Sequence, residues 1–367
     1  MYRRTCLLGG LSLLTAIFLS GCAPHRETGE HVKQVNLLDV TEPSLKDYFK
    51  GVETIPLENK DSAYLNNSCL ISYVLAEGKL YVFDRSNHAV VVFGLDGSWK
   101  ETICKYGRGP GEYLMPTDLA FNEKTHSLDI LEATGKIITY ELTPPHTMLR
   151  SIKIPDLRAV HYFIPFGSGY YLFSSYEDSS VNYLDAGNGE LTAVSGIPPA
   201  ERNERAGYHI SGNPFYIHDG KLYYVNGADG GIFRIEGDKA EPVLAWDFGR
   251  YSFDPDRIDP ESDMSVDVLY AVSTSMAGPV LRTQETERYV FANVLFMKQD
   301  WNVVLDKETG ETNVFSKMKE GMVFYPGKYY DGALYAIWPP EVVNVYFPPD
   351  YPLPDEDSNF LLLKFVL

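Results

Sequence analysis

The side chains best equipped for chemistry in this 367-residue chain fall in short polar stretches rather than in a catalytic motif. Arg85 and His88 stand in Asp84-Arg85-Ser86-Asn87-His88, Tyr176 in Tyr176-Glu177-Asp178, and Asp229 in Asn226-Gly227-Ala228-Asp229. Asp300 and Trp301 follow Gln299, and Trp338 heads Trp338-Pro339-Pro340-Glu341. Aromatic rings beside carboxylates, amides and arginine suit flat polar ligands such as sugars. The ring stacks on the apolar sugar face while the polar groups take the hydroxyls. The same residue types fill ordinary turns, and that reading stays open beside the first. A second cluster is Gly107-Arg108-Gly109-Pro110-Gly111-Glu112-Tyr113. It is glycine-rich like a phosphate cradle, yet it lacks the Lys-Ser/Thr pair and opens no helix. A tight turn shaped by Gly-Pro-Gly, with Glu112 and Tyr113 capping neighbouring backbone, explains it better. Arg108, Glu112 and Tyr113 remain candidate ligand contacts as well.

Other chemistries find less support. There is no Gly-x-Ser-x-Gly elbow and no His-Glu-x-x-His pair. Of eight histidines, His25 and His31 precede the strand pattern, and His88, His126, His146, His161, His209 and His218 each fall in a different segment. A circular fold can gather such residues at its axis, so an axial lyase or hydrolase is the alternative to a binding module. No metal site and no cofactor are expected. Calcium would need axial carboxylates and carbonyls, and no Asp-x-Asp-x-Asp loop points to it.

The elements that must position these residues are strands. Alternating runs of Tyr, Val, Ile, Phe and Leu, broken by Gly, Asp and Asn, recur along the chain, and helical periodicity is nearly absent. One unit repeats: Gly78-Lys79-Leu80-Tyr81-Val82-Phe83, a polar turn, then Ala89-Val90-Val91-Val92-Phe93. Aligned on Leu80, Leu128, Tyr170, Leu222, Tyr289 and Leu334, the copies lie 48, 42, 52, 67 and 45 residues apart. Periods of this size with four strands each predict an all-β, six-bladed β-propeller of antiparallel blades. The long interval implies an insertion at about 250–282, with a possible helix over 262–276. Open sheet edges invite pairing with other chains, so the ring should close by pairing an N-terminal strand, Val52–Leu57, with a C-terminal one, Asn359–Leu367. In a four-stranded meander, the links between blades and those between second and third strands emerge on one face. All the candidate loops therefore share that face.

The chain's start carries a different signal. Met1-Tyr2-Arg3-Arg4-Thr5 is basic, Cys6 to Leu19 is apolar, and Leu19-Ser20-Gly21-Cys22 follows. The apolar run is too short to span a membrane, which predicts a cleaved export signal over residues 1–21. The last four residues resemble the lipobox of bacterial lipoproteins. That resemblance implies lipidation of Cys22, a membrane partner reached through the lipid, a tether over 22–50 and a propeller over 51–367. With Ala23 after the cysteine, analogy to enterobacterial lipoproteins points to the outer membrane, on either side of it. Removing residues 1–21 takes away Arg3 and Arg4 and no acid, so net charge moves from −18 to −20. A body so acidic repels phosphate backbones, which excludes nucleic acid. Cys69 and Cys104 remain in an oxidising compartment. Placed on the first and fourth strands of one blade, they would stand about 14 Å apart at roughly 4.8 Å per strand. That is too far for a disulfide, so two buried free thiols are expected.

Cys104-Lys105-Tyr106-Gly107-Arg108-Gly109-Pro110-Gly111-Glu112-Tyr113 lies downstream of Glu53-Thr54-Ile55-Pro56-Leu57-Glu58. Trp246-Asp247-Phe248-Gly249 and Glu285-Thr286-Glu287-Arg288-Tyr289 follow in order. Together these strings resemble the six-bladed TolB-like/NHL-like propeller lipoproteins of Bacteroides and relatives. The resemblance implies fold and envelope location, lends no catalytic residue, and leaves a glycan or an envelope protein as the possible partner.

Overall fold

Short strands that alternate or run wholly apolar, separated by tight turns, fold here into six four-stranded antiparallel sheets. The computed structural model describes residues 29–367, leaving aside 62, 67–71, 86, 156–159, 175–178, 199–211, 228, 255–256, 258–271, 279 and 349–358. The signal segment, Cys22, Cys69 and Tyr176 lie outside the described residues.

Two strands precede the first blade, β1 (Val32–Gln34) and β2 (Gly51–Pro56). Blade I is β3 (Ser72–Ala76), β4 (Lys79–Asp84), β5 (Ala89–Gly94) and β6 (Trp99–Cys104). Blade II is β7 (Pro116–Asn122), β8 (Ser127–Glu132), β9 (Lys136–Glu141) and β10 (Met148–Lys153). Blade III is β11 (Val160–Phe166), β12 (Gly169–Ser174), β13 (Val181–Asp185) and β14 (Leu191–Ala193). Blade IV is β15 (Phe215–His218), β16 (Lys221–Val225), β17 (Ile232–Glu236) and β18 (Lys239–Asp247). Blade V is β19 (Val280–Glu285), β20 (Tyr289–Phe296), β21 (Gln299–Asp306) and β22 (Thr312–Phe315). Blade VI is β23 (Lys328–Tyr330), β24 (Ala333–Trp338) and β25 (Leu361–Val366), completed by β2.

The six aligned repeat positions all fall on the second strand of a blade. Those strands are covered on both faces by neighbouring blades, and β8, β12 and β20 are buried at every residue. An outer strand such as β10 instead alternates half-buried and exposed residues. The Gly at the head of the repeat has a local cause. Glu77-Gly78, Asp219-Gly220 and Asp331-Gly332 all hold positive φ at both residues, as a two-residue type I′ hairpin requires.

Ring closure follows the expected route: β2 runs antiparallel to β25, with Gly51 opposite Val366 and Pro56 opposite Leu361. Asn359, 1 % exposed, pins the entry to β25. Its amide donates to the carbonyls of Glu58 (3.1 Å) and Ala63 (2.9 Å) and accepts from Leu65 N (3.2 Å) and Phe360 N (2.9 Å). Residues assigned to the tether also join the body. β1 lies parallel to β18 as a fifth strand of blade IV. Further on, Phe49 packs at 5.2 Å from both Phe324 and Phe365.

Two expectations need correction. Cys104 is exposed, not buried: it ends β6, the outermost strand of blade I, where one sheet face meets solvent. The insertion does not reach 282, because β19 begins at Val280, and the link between blades IV and V ends there. Most of the possible helix over 262–276 lies outside the described residues.

Candidate functional site: an axial channel

The first strands of the blades, β3, β7, β11, β15, β19 and β23, line a cavity of about 1260 Å3 at the centre of the ring. Polar groups stand at both ends, and one end draws on every blade. Ser72 and Lys328 open β3 and β23, while Asp118, Tyr162 and Arg282 each stand third in their strands, and Asn213 lies just before β15. A repeated irregularity aims three of them. The pairing of β7, β11 and β19 with their neighbours slips by one residue just before Asp118, Tyr162 and Arg282. A bulge of this kind bends the strand and redirects the next side chain. The repeat also fixes register. Ser72, Asp118 and Tyr162 pair with Phe83, Leu131 and Phe173, each three residues past the aligned positions Leu80, Leu128 and Tyr170.

Asp118 ties four blades together at the axis. Its carboxylate accepts from Ser72 Oγ (2.7 Å), Asn213 Nδ2 (2.9 Å) and Phe163 N (3.3 Å). It is 1 % exposed, and burial pushes its carboxyl above the usual range against those hydrogen bonds. Lys328 donates to the Tyr73 carbonyl, with its ammonium 4.9 Å from the Tyr73 ring centroid. Burial pulls its amine down, and the charge of Asp118 opposes that. The Tyr73 phenol is pushed up by burial. Tyr162 is pushed up to about 12, by burial first and then by Asp118. Arg85 reaches in from the link between β4 and β5, donating through Nη2 to the Thr117 carbonyl (2.7 Å). Arg282 stacks its guanidinium 5.8 Å from the Tyr325 ring, within cation–π range. Behind it, Tyr325, Trp338 and Tyr346 form a triangle with ring centroids 5.2 to 5.4 Å apart. Tyr346 ends the short helix α1 (Pro340–Tyr346), and Trp338 itself lines the channel.

Of the residues chosen from sequence, the channel takes Arg85 and Trp338. Asp300 touches its wall, accepting from the Tyr325 hydroxyl. Tyr176 lies outside the described residues, and the remaining ones stand away from the channel lining. His88 stacks on Tyr106 at 4.3 Å, and its carbonyl accepts from the Tyr113 hydroxyl (2.8 Å). Tyr113 is fully buried, so it is a core residue rather than a ligand contact. The Glu112 carboxylate folds back onto Gly109 N at 2.6 Å. A Cβ on Gly107 would stand 1.9 Å from Glu112 Oε2, which explains the glycine there. Arg108 is exposed on that loop, and the channel lining omits it. Asp229 Oδ1 accepts from Asn226 Nδ2 and Gly231 N, both at 3.0 Å, inside its own turn. Trp301 donates its indole N–H to the Phe296 carbonyl (3.0 Å) and packs on the core. Sequence reasoning passed over Asp118, Asn213, Arg282 and Lys328. The signal was there, as polar residues at the feet of first strands, where apolar neighbours hid them. Among the described residues no group of three or more His, Cys, Asp or Glu is arranged to hold a metal ion.

Comparison with known proteins supports the architecture. A candidate exported protein of Bacteroides fragilis has a crystal structure that superposes with a TM-score of 0.67 at 17 % identity, covering 91 % of this chain and 98 % of its own. A member of the DUF4221 family from Bacteroides vulgatus gives 0.57 at 11 % identity, covering 86 % and 96 %. At such identities the likeness speaks to fold. No curated protein matches the chain in sequence. The profile described as "Domain of unknown function (DUF4934)" matches residues 32–360, and the chain therefore belongs to the DUF4934 family, as a six-bladed β-propeller.

Proposed function

We propose that the protein is a ligand-binding module of the bacterial envelope, held at the membrane by a lipid on Cys22, whose axial channel captures a saccharide. The observation that carries this reading is the channel end itself. The six blades together bring polar groups, from buried Asp118 to exposed Arg282, to one end of the channel beside the Tyr325–Trp338–Tyr346 aromatic wall. Pockets with a few fixed polar groups on a largely apolar, aromatic lining are the common form of small-ligand sites. The export signal and lipobox at the chain's start support the location.

A second reading keeps the same pocket and adds turnover. Asp118, Lys328 and Tyr73 all have titrations displaced by burial, and displaced groups gathered in one cleft are what proton transfer needs. Lys328, with its amine held toward the neutral form, would be the base.

A thermal-shift screen of the purified protein against neutral and acidic oligosaccharides tests both. A ligand that binds only the folded state must raise the melting temperature. The expected result is a shift with one glycan class that shrinks in Trp338→Phe, with chromatography of the incubated glycan reporting any cleavage. A shift that Trp338→Phe leaves unchanged would place the ligand elsewhere and overturn the channel reading.

A further inference from the structure

The cations of the channel have no partner equal to their charge. Arg85, Arg282 and Lys328 line it, and among the described residues none of the three forms an ion pair with a carboxylate at contact distance. Arg85 commits Nη2 to Thr117, while its Nε is buried with no hydrogen-bond partner. Arg282 is exposed to the channel and holds a ring contact with Tyr325. Of the acids at this end, Asp118 already accepts three hydrogen bonds from Ser72, Asn213 and Phe163, and Asp300 accepts from the Tyr325 hydroxyl. Two guanidinium groups without a carboxylate partner among the described residues, beside two acids that are already engaged, stand out in a chain of formal net charge −18. At the other mouth the lining holds Glu77, Glu123 and Lys124, and Glu77 is engaged by His126 at 3.0 Å. The two open guanidinium groups thus stand at the mouth where the aromatic wall is. An arginine fork left open in a sheltered site matches a planar oxyanion better than any hydroxyl.

We propose that the channel takes its ligand by an oxyanion, a carboxylate-bearing saccharide of the uronate class, held between Arg85, Arg282 and Lys328 with its ring against Trp338. This rests on the saccharide reading above and adds the charge. The fixed charges select the ligand: a neutral sugar entering the same space would leave two guanidinium groups without the anion they face. The anion reaches these groups most directly from the face carrying the interblade links, at which Arg85 and Arg282 stand.

The test is isothermal titration of the purified protein with an oligogalacturonate, with the same oligomer after reduction of its carboxyl groups, with a sulfated heparin oligosaccharide, and with inorganic phosphate. The oligogalacturonate should bind at least tenfold more tightly than its reduced form and weaken as salt rises. Arg282→Gln, at an exposed position that folding does not need, should lower that affinity roughly 10- to 100-fold, the usual worth of a charged hydrogen bond. Arg85→Gln should do the same, with a melting temperature lowered only by the loss of its bond to Thr117. Equal binding of the charged and reduced oligomers, with Arg282→Gln silent, would overturn the charge selection and leave a neutral-sugar channel standing. Tighter binding of the sulfated oligomer or of phosphate would overturn the carboxylate assignment. No binding by either galactan form would remove the saccharide reading together with this one.

Discussion

Replacing Asn359 by alanine should be among the most damaging single changes outside the channel, and its size can be worked from the contacts. Asn359 is 1 % exposed and makes four hydrogen bonds, two given and two accepted, that bind the entry of β25 to the Glu58–Leu65 segment. Alanine removes all four. The Glu58 and Ala63 carbonyls keep a second lone pair, but the N–H groups of Leu65 and Phe360 lose their acceptor where water has little access. At about 1 kcal/mol for each of the two bonds to carbonyls, and about 1–3 for each of the two buried donors left unpaired, the expected loss is at least about 4 kcal/mol. Asn359→Asp separates the causes. It restores acceptors for the two N–H groups yet sets a carboxylate against two carbonyls in a sealed site, so it should be worse than alanine at pH 7. It should recover as the pH falls and the acid protonates. Urea unfolding with tryptophan fluorescence reads both variants, with a lower midpoint and an unchanged slope as the expected signature. A loss under about 1 kcal/mol for Asn359→Ala would refute the claim that this side chain holds the closing strand.

Two further outcomes follow from single residues. Asp118 has its folded-state pKa raised by burial, so the fold favours its protonated form. The stability this gives is fully present below the unfolded value of about 3.9 and is lost as pH rises toward the raised folded value. Asp118→Asn keeps the shape and removes the loss, so wild type should weaken relative to the variant between pH 4 and pH 7, and parallel urea midpoints would contradict this. Cys104 is exposed at the end of β6, so a thiol reagent should label it in the folded state as fast as in urea, with Cys104→Ser removing that label; protection without denaturant would show the thiol covered.

Much of the ring was legible because blade geometry forces a pattern on the residues. A strand packed on both faces must be largely apolar, so Leu80, Leu128, Tyr170, Leu222, Tyr289 and Leu334 could be aligned from type alone. The I′ turns marked where each unit began. The site was harder for a physical reason. Loops advertise polar residues, and the sequence drew attention to His88, Glu112 and Asp229, whose side chains or carbonyls are spent on their own turns. The channel lining comes from strand feet, and which way a foot points depends on a one-residue slip in pairing that composition does not reveal. Arg282 shows this best: read as the tail of an insertion, it is the third residue of an inner strand, aimed by the bulge before it.

The closing of blade VI bears on when the protein becomes competent. β25 follows every other strand along the chain, and it pairs with β24 on one side and β2 on the other. Until it emerges from whatever makes or moves the polypeptide, β2 and β24 are two bare edges, and Lys328 sits on a three-residue strand braced only by β24. A polypeptide cut short before Leu361 would thus have five finished blades, sticky flanks and an unfinished channel. An intact axial channel in this architecture is therefore also a check on length, since only a molecule translated through its closing strand has one.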